Sequence, residues 1–259
     1  MALNSSIPIL EFDPNRAAII NPDAPQYGLN LPPRAVLCFF RDVLERLADS
    51  GKLEEIGELR SEMGRNPIYQ LKTEGEPLAV IHPGVGAPLA AGFLEEIIAL
   101  GAKRLIACGG CGVLNEEIAV GHPVVLTGAV RDEGTSYHYL PPGREVAAAL
   151  QAVAALEGAL QRNGLDYRVG KSWTTDGIYR ETPDRRARRV AEGCIVVEME
   201  AAAFFAVAEY RGVSLGQVVY GGDLVVPSGW NEREWLQRHG ARELLFWLAV
   251  EACASMVLD

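Results

Sequence analysis

Three observations predict an α/β fold for this sequence. Short apolar runs that read as strands alternate with longer runs of helical apolar spacing. Several of the helical runs stop at a glycine, namely Gly101, Gly164 and Gly212, where a left-handed residue ends a helix without steric cost. The 259 residues, 49% apolar and 22% charged, suffice for an ordinary buried core. No repeat, low-complexity tract or linker interrupts them, so one domain over residues 1–259 is expected.

Taken in order, Ala17 to Ile20 reads as a strand closed by Asn21-Pro22-Asp23-Ala24-Pro25. Pro32-Pro33 then opens a helix from Arg34 to Asp49, with Val36, Leu37, Phe40, Val43, Leu44 and Leu47 at helical spacing. Ile68 to Leu71 and Leu78 to Ile81 flank Glu74-Gly75-Glu76-Pro77 as a hairpin. Ala87 to Leu100 is a helix, Arg104 to Ala107 a strand running into Gly109-Gly110, and Pro123 to Val130 a strand. Arg144 to Asn163 is a helix, Tyr167 to Trp173 a strand, and Thr182 to Glu192 a short helix with Pro183 near its start. Ile195 to Glu198 is a strand entering a helix from Ala201 to Arg211. Leu215 to Val226 is the last strand, and Trp230 to Val257 is mostly helix. Alternation of this kind predicts a largely parallel sheet covered on both faces.

Charge and cysteine usage narrow the function classes. The net charge of −10 and pI of about 5.0 argue against nucleic acid, whose affinity comes from Lys and Arg neutralising phosphates. The basic run Arg185-Arg186-Ala187-Arg188-Arg189 reads as the solvated face of a short helix. Met1 to Leu10 lacks the basic start and apolar core of a signal peptide, and no apolar run is long enough to span a membrane. The odd set of five cysteines, Cys38, Cys108, Cys111, Cys194 and Cys253, is expected to be free thiols in a reducing cytoplasm. Cys108-Gly109-Gly110-Cys111 lacks a second ligand pair for zinc, so it reads as small residues in a tight turn and no metal is expected.

Four segments carry candidate chemistry. In Val197-Glu198-Met199-Glu200-Ala201 two carboxylates lie two apart at a strand end, on the same side of an extended chain, where α/β proteins place ligands. The plain alternative is one Glu capping the next helix and the other solvated. Tyr220-Gly221-Gly222-Asp223 sets one Asp at the end of another strand, or merely in a turn. His82-Pro83-Gly84-Val85-Gly86 feeds a helix N-terminus, which suits an anion; with Leu89 at the third glycine position, a dinucleotide fingerprint is absent. Arg131 to Tyr139 is a polar and aromatic loop after a strand.

In this order these segments resemble the nucleoside phosphorylase superfamily, over most of the chain from about Ala17 to the final helix. Gly84-Val85-Gly86-Ala87-Pro88 resembles its Gly-Ile-Gly-Gly-Pro loop, and Gly109-Gly110-Cys111-Gly112 its Gly-Ser/Thr-x-Gly loop. Val197 to Ala201 is similar to its ribose-binding motif. Arg131 to Tyr139 looks most like the uridine phosphorylase branch, and Asp223 like the acid of the purine branch. The resemblance implies a three-layer α/β/α fold with a central mixed, partly barrel-like sheet, and a homo-oligomer. It implies cleavage of an N-glycosidic bond with no cofactor, phosphate being a co-substrate. Asp223 and Glu200 would be catalytic; Met199, Glu198 and His138 would join Glu200 at the ribose; Ile178, Tyr179 and Arg180 would face the base; Gly84, Gly86, Gly109, Gly110 and Arg131 would bind phosphate.

Some family positions differ. The arginine before the Gly-Ser/Thr-x-Gly loop is Ala107, and the Arg of an early Gly-Asp-Pro-x-Arg motif aligns with Gln26. Thr182 and Asp184 stand where the uridine branch reads its pyrimidine with Gln and Arg. Three readings therefore stay open: phosphorolysis, hydrolysis by water, and nucleoside binding without catalysis.

Overall fold

The computed structural model describes residues 6–22, 28–72 and 75–258. Its first half contains β1 (Arg34–Cys38), α1 (Arg41–Asp49), β2 (Leu53–Ser61), β3 (Gly64–Leu71), β4 (Leu78–Ile81), α2 (Ala87–Ala99), β5 (Arg104–Val113) and β6 (Pro123–Asp132). Then come β7 (Glu145–Ala147), α3 (Leu150–Arg162), β8 (Arg168–Thr175), α4 (Pro183–Ala191), β9 (Cys194–Glu198), α5 (Ala201–Arg211), β10 (Ser214–Val226), β11 (Gly229–Asn231) and α6 (His239–Ser255).

All the strands join one sheet in the order β11-β10-β6-β8-β9-β5-β1-β4-β3-β2, with β7 on β6. Because β10 also pairs with β5, the strands β5, β10, β6, β8 and β9 close into a five-stranded barrel, and β1, β4, β3 and β2 extend from β5 as an open wing. The sheet is mixed rather than largely parallel. The βα alternation sets parallel β1–β4, β1–β5 and β10–β5 pairs, but closing the barrel makes β6 antiparallel to β10 and β9 antiparallel to β5.

Helices cover both faces, giving three layers. Phe93, Leu94 and Ile97 of α2 and Phe204, Phe205 and Val207 of α5 share one core cluster with one side of the sheet. On the other side α1, α3 and α6 pack through Val43, Leu44, Leu156, Leu160, Phe246 and Leu248. Helix α5 opens Ala201-Ala202-Ala203 and is buried through Ala208, so its small residues let it lie flat between α2 and the barrel.

Where the elements differ from expectation, pairing partners explain it. Ala17 to Ile20 is exposed and forms no strand, since no sheet edge receives it. Arg34 to Asp49 splits into strand and helix. Val36 and Leu37 are buried on both sides between β4 and β5, and the chain enters α1 with no glycine or proline to mark the join. Arg144 to Asn163 likewise begins as β7, because Glu145–Ala147 pairs with Val130–Gly128 before α3 starts at Leu150. Strand β2 was unforeseen. Trp230 starts β11, not a helix, and α6 begins at His239. Cys108 and Cys111 lie within β5 rather than in a turn; three residues apart on a strand, they point to opposite faces and fall in different core clusters. The basic run of α4 is largely turned inward: Arg185 and Arg189 pair with Asp132, and Arg186 donates to the carbonyls of Leu114 and Val225.

Gly128 shows how tightly the barrel closes. A register shift precedes it on the β8 side, and a β-carbon there would sit 2.7 Å from the Val146 carbonyl oxygen of β7. Backbone cannot yield as a side chain does, so Gly128→Ala should destabilise the fold by about 1–3 kcal/mol. Urea unfolding measures this; an unchanged midpoint would show that β7 is free to move.

Candidate active site

The floor of the site is the second half of β5. Up to Cys108 this strand is flanked by β1 and β10. Beyond it, β1 departs, Phe39 N–H bonding the Cys108 carbonyl, and β9 takes the vacated edge at Gly112 and Val113. The glycines here make room. A β-carbon on Gly109 would stand 3.0 Å from the Phe39 ring, and one on Gly112 would stand 2.9 Å from Val197 and 3.5 Å from Asp223 Oδ2. Gly110, against Tyr220, is partly open.

On the β9 side, Glu198 and Glu200 are both buried. Glu198 Oε2 accepts the backbone N–H groups of Glu200 and Ala201, each at 2.7 Å, while Oε1 accepts the hydroxyls of Ser172 (2.7 Å) and Thr174 (2.6 Å). It therefore caps α5, satisfying donors that a helix start leaves unpaired. Glu200, the residue preceding that helix, is not solvated: its Oε1 accepts Gly86 N–H at 2.6 Å. Burial, then the neighbouring Glu198 carboxylate, push the Glu200 acid up to about 8. Burial likewise raises Glu198, against four hydrogen bonds that favour its charged form.

Above these carboxylates lies the glycine loop. Gly84 and Gly86 have φ of 80° and 87°, a conformation that favours glycine. Gly84 N–H donates to His82 Nδ1 at 3.1 Å. Burial, and secondarily the charge of Arg41, lower His82 to about 4, so its imidazole is neutral near pH 7. Arg41 was not picked out from the sequence. It opens α1, is exposed, and forms no ion pair among the described residues. The early motif position Gln26 lies outside the described residues. Ala107 is fully buried in β5.

On the β10 side, Asp223 lies within the strand, half-buried, with Oδ2 accepting Trp230 Nε1–H at 2.7 Å. Cys111, buried between the two sides, feels the charges of both Asp223 and Glu198, and with burial these push its thiol up.

The remaining candidates are spread around this centre. Ile178, Tyr179 and Arg180 form an exposed 3-10 turn after β8. Met199 links the two glutamates. His138 is exposed, and no hydrogen bond joins it to Glu200. Arg131 is buried with all its donors committed to its own loop: Nε to Ser136 Oγ, the others to the Pro141 and Leu140 carbonyls. Glu181, also not picked out, follows the exposed turn, accepts no hydrogen bond among the described residues, and is pushed by burial to about 7, with Asp223 adding to the rise.

A closed mixed barrel within an α/β/α sandwich, with two buried glutamates against a glycine loop, is the architecture of a nucleoside phosphorylase-like enzyme. The sequence model of the phosphorylase superfamily matches residues 33–243, and the chain belongs to that family. It is 30% identical over 176 residues to a guanosine phosphorylase from Halorubrum lacusprofundi, covering 66% of this chain and 73% of that one. It is also 30% identical to a uridine phosphorylase from Thermococcus kodakarensis, over 57% of this chain and 58% of the relative. A purine nucleoside phosphorylase from Toxoplasma gondii superposes with a TM-score of 0.74 at 22% identity, covering 87% and 91% of the two chains. Among the described residues no helix is long and apolar enough to cross a membrane.

Glu200 gives a stability prediction. Its acid is raised from 4.5 to about 8 on folding, so the folded chain holds a proton that the unfolded chain releases. Its contribution is fully present below about pH 4.5 and is lost as pH rises through about 8. Glu200→Gln keeps an acceptor for Gly86 and should flatten the fall of Tm across that window. An identical slope in both proteins would mean that Glu200 is ionised throughout.

Proposed function

We propose that the chain, acting as a single domain, cleaves the N-glycosidic bond of a nucleoside by phosphorolysis, releasing the free base and a pentose 1-phosphate. The observation that carries this reading is the opposition of Glu200 and Asp223 across the glycine floor of β5. One carboxyl sits beside a glycine loop and the other on the opposite strand, as a bond between a sugar and a base requires.

In this reading Glu200 and Met199 hold the ribose, with Glu198 fixing the backbone that carries them and His138 closing over the sugar from its loop. Ile178 and Tyr179 supply the exposed apolar surface against which a base stacks, Arg180 lies at its rim, and Asp223 protonates the departing base. As the bond breaks, positive charge develops on the sugar, and a nearby carboxylate stabilises it. Phosphate enters between the Gly84–Gly86 loop and Gly109–Gly110, at the start of α2, where backbone N–H groups favour an anion. Arg41 supplies the positive charge there, since Arg131 spends its donors on its own loop. No cofactor is needed. The protein works as a cytoplasmic homo-oligomer in nucleoside salvage.

Base release from a panel of nucleosides, followed with and without phosphate, tests this. Release that depends on phosphate is expected; equal release without it would make the enzyme a hydrolase, and none at all would leave a binding protein. Asp223→Asn should lower turnover about 10²-fold or more. Arg41→Ala should raise the KM for phosphate about tenfold, a charge-assisted contact being worth that much, with little change in the KM for nucleoside. An unchanged phosphate KM would remove Arg41 from the site.

A further inference from the structure

Three features around the leaving-base end of the site have no role so far. Glu181 sits directly between the exposed turn Ile178–Arg180 and Thr182, the residue that caps α4. Arg186 of that helix is tied to the Val225 carbonyl of β10 and the Leu114 carbonyl just after β5, so the start of α4 is held against the strand that carries Asp223. Glu181 is more than half buried, lies within electrostatic reach of Asp223, and takes no hydrogen bond from the described residues. Arg185, the cation nearest to it, is already engaged with Asp132 and with the Arg180 carbonyl. Asp223 in turn has one oxygen fixed by Trp230 Nε1–H, which leaves the other free to face a ligand. Trp230 belongs to the short hairpin strand β11, where its ring is 65% exposed.

Two carboxylates this close and poorly solvated do not both ionise easily; they tend to keep one proton between them. A base that fits such a pair must offer one atom that takes a proton and one group that donates to a carboxylate. A purine does so: N7 accepts, and N6–H₂ of adenine or N1–H of hypoxanthine and guanine donates. Uracil presents O4, N3–H and O2, with no ring nitrogen free to be protonated, and its carbonyl oxygens face an ionised carboxylate unfavourably.

We propose that Glu181 and Asp223, with Trp230 fixing the latter, form a proton-sharing pair that recognises the leaving base and selects purine over pyrimidine nucleosides. The proposal rests on the cleavage reading above and sharpens it. In the reaction the C1′–N9 bond breaks with its electron pair going to the base. N7 takes the proton of the pair, C1′ bonds to a phosphate oxygen, and the proton given up by hydrogenphosphate returns through solvent to the carboxylates.

The test compares adenosine, inosine, guanosine and uridine with wild type, Glu181→Gln and Trp230→Phe, each across a range of pH. Wild type should favour at least one purine nucleoside over uridine by about tenfold or more in kcat/KM, with activity falling as pH rises through about 7, where Glu181 titrates. Glu181→Gln should lower purine kcat/KM by about 10- to 100-fold and move or abolish that limb of the profile. Trp230→Phe keeps the exposed ring, removes only the N–H, and should lower purine kcat more than it alters KM. Equal or better cleavage of uridine, or a Glu181→Gln enzyme with purine kcat/KM within about twofold and the same pH profile, overturns the pair while leaving nucleoside cleavage standing. No base release by wild type from any nucleoside overturns the cleavage reading and the pair together.

Discussion

The arrangement depends on one buried carboxylate. Glu198 accepts two side-chain hydroxyls from β8 and two backbone N–H groups from the start of α5. It thereby ties a barrel strand, its neighbour and the following helix at a single point. A carboxylate in so dry a place is costly unless its lone pairs are satisfied, and here four donors converge on it. The consequence is positional. With the first turn of α5 fixed, Glu200 has no freedom to swing into solvent and is directed at Gly86. Thr174 adds a second tie, its Oγ1 also accepting Ala202 N–H at 3.0 Å.

The glycines of β5 are the complementary constraint. A strand with ordinary side chains at 109, 110 and 112 would fill the space between β9 and β10 with its own atoms. Leaving those positions bare turns the middle of a buried strand into a surface, with Glu198 and Glu200 along one edge and Asp223 along the other. The cost is a strand with little side-chain packing of its own, which weakens it. The offset comes from neighbours: Phe39, Tyr220, Val197 and Val225 close over the bare backbone. Thus the same residues make the barrel and leave room within it.

This division explains what was legible in the sequence. The α/β alternation and most helix ends were readable, since glycine stops and apolar spacing are local signals. The glutamate pair, Asp223 and both glycine loops stood out because each sits at or near the end of an apolar strand. The residues missed carry no local signal. Glu181 is one acid among many until α4 is stitched to β10 by Arg186, and Arg41 is one arginine on an amphipathic helix until His82 is placed beside it. Strand β1 was hidden because five apolar residues run straight into α1, and β2 because it has a single paired side, on β3, and buries little besides Leu53 and Leu59. Arg131 misled in the other direction. A lone arginine in a polar loop suggests an anion site, whereas folding uses it to hold the loop's own carbonyls.

The electrostatics of the empty site follow from the same geometry. Glu200 stands near 8 because burial and Glu198 both oppose its ionisation. A group held so far from its usual value responds strongly to a new charge: each unit by which a neighbouring cation lowers it again corresponds to about 1.4 kcal/mol of interaction favouring the charged pair. A sugar that becomes cationic only as its bond to the base breaks would gain this interaction at that moment and not before. A neutral sugar in the ground state gains none of it, which is the condition for an interaction to speed a reaction rather than merely tighten binding. A fully solvated glutamate at the same place would be ionised from the outset and screened by water, and would offer much less. The buried cap at Glu198 therefore does more than hold α5, since its charge is also what keeps Glu200 waiting for a cation.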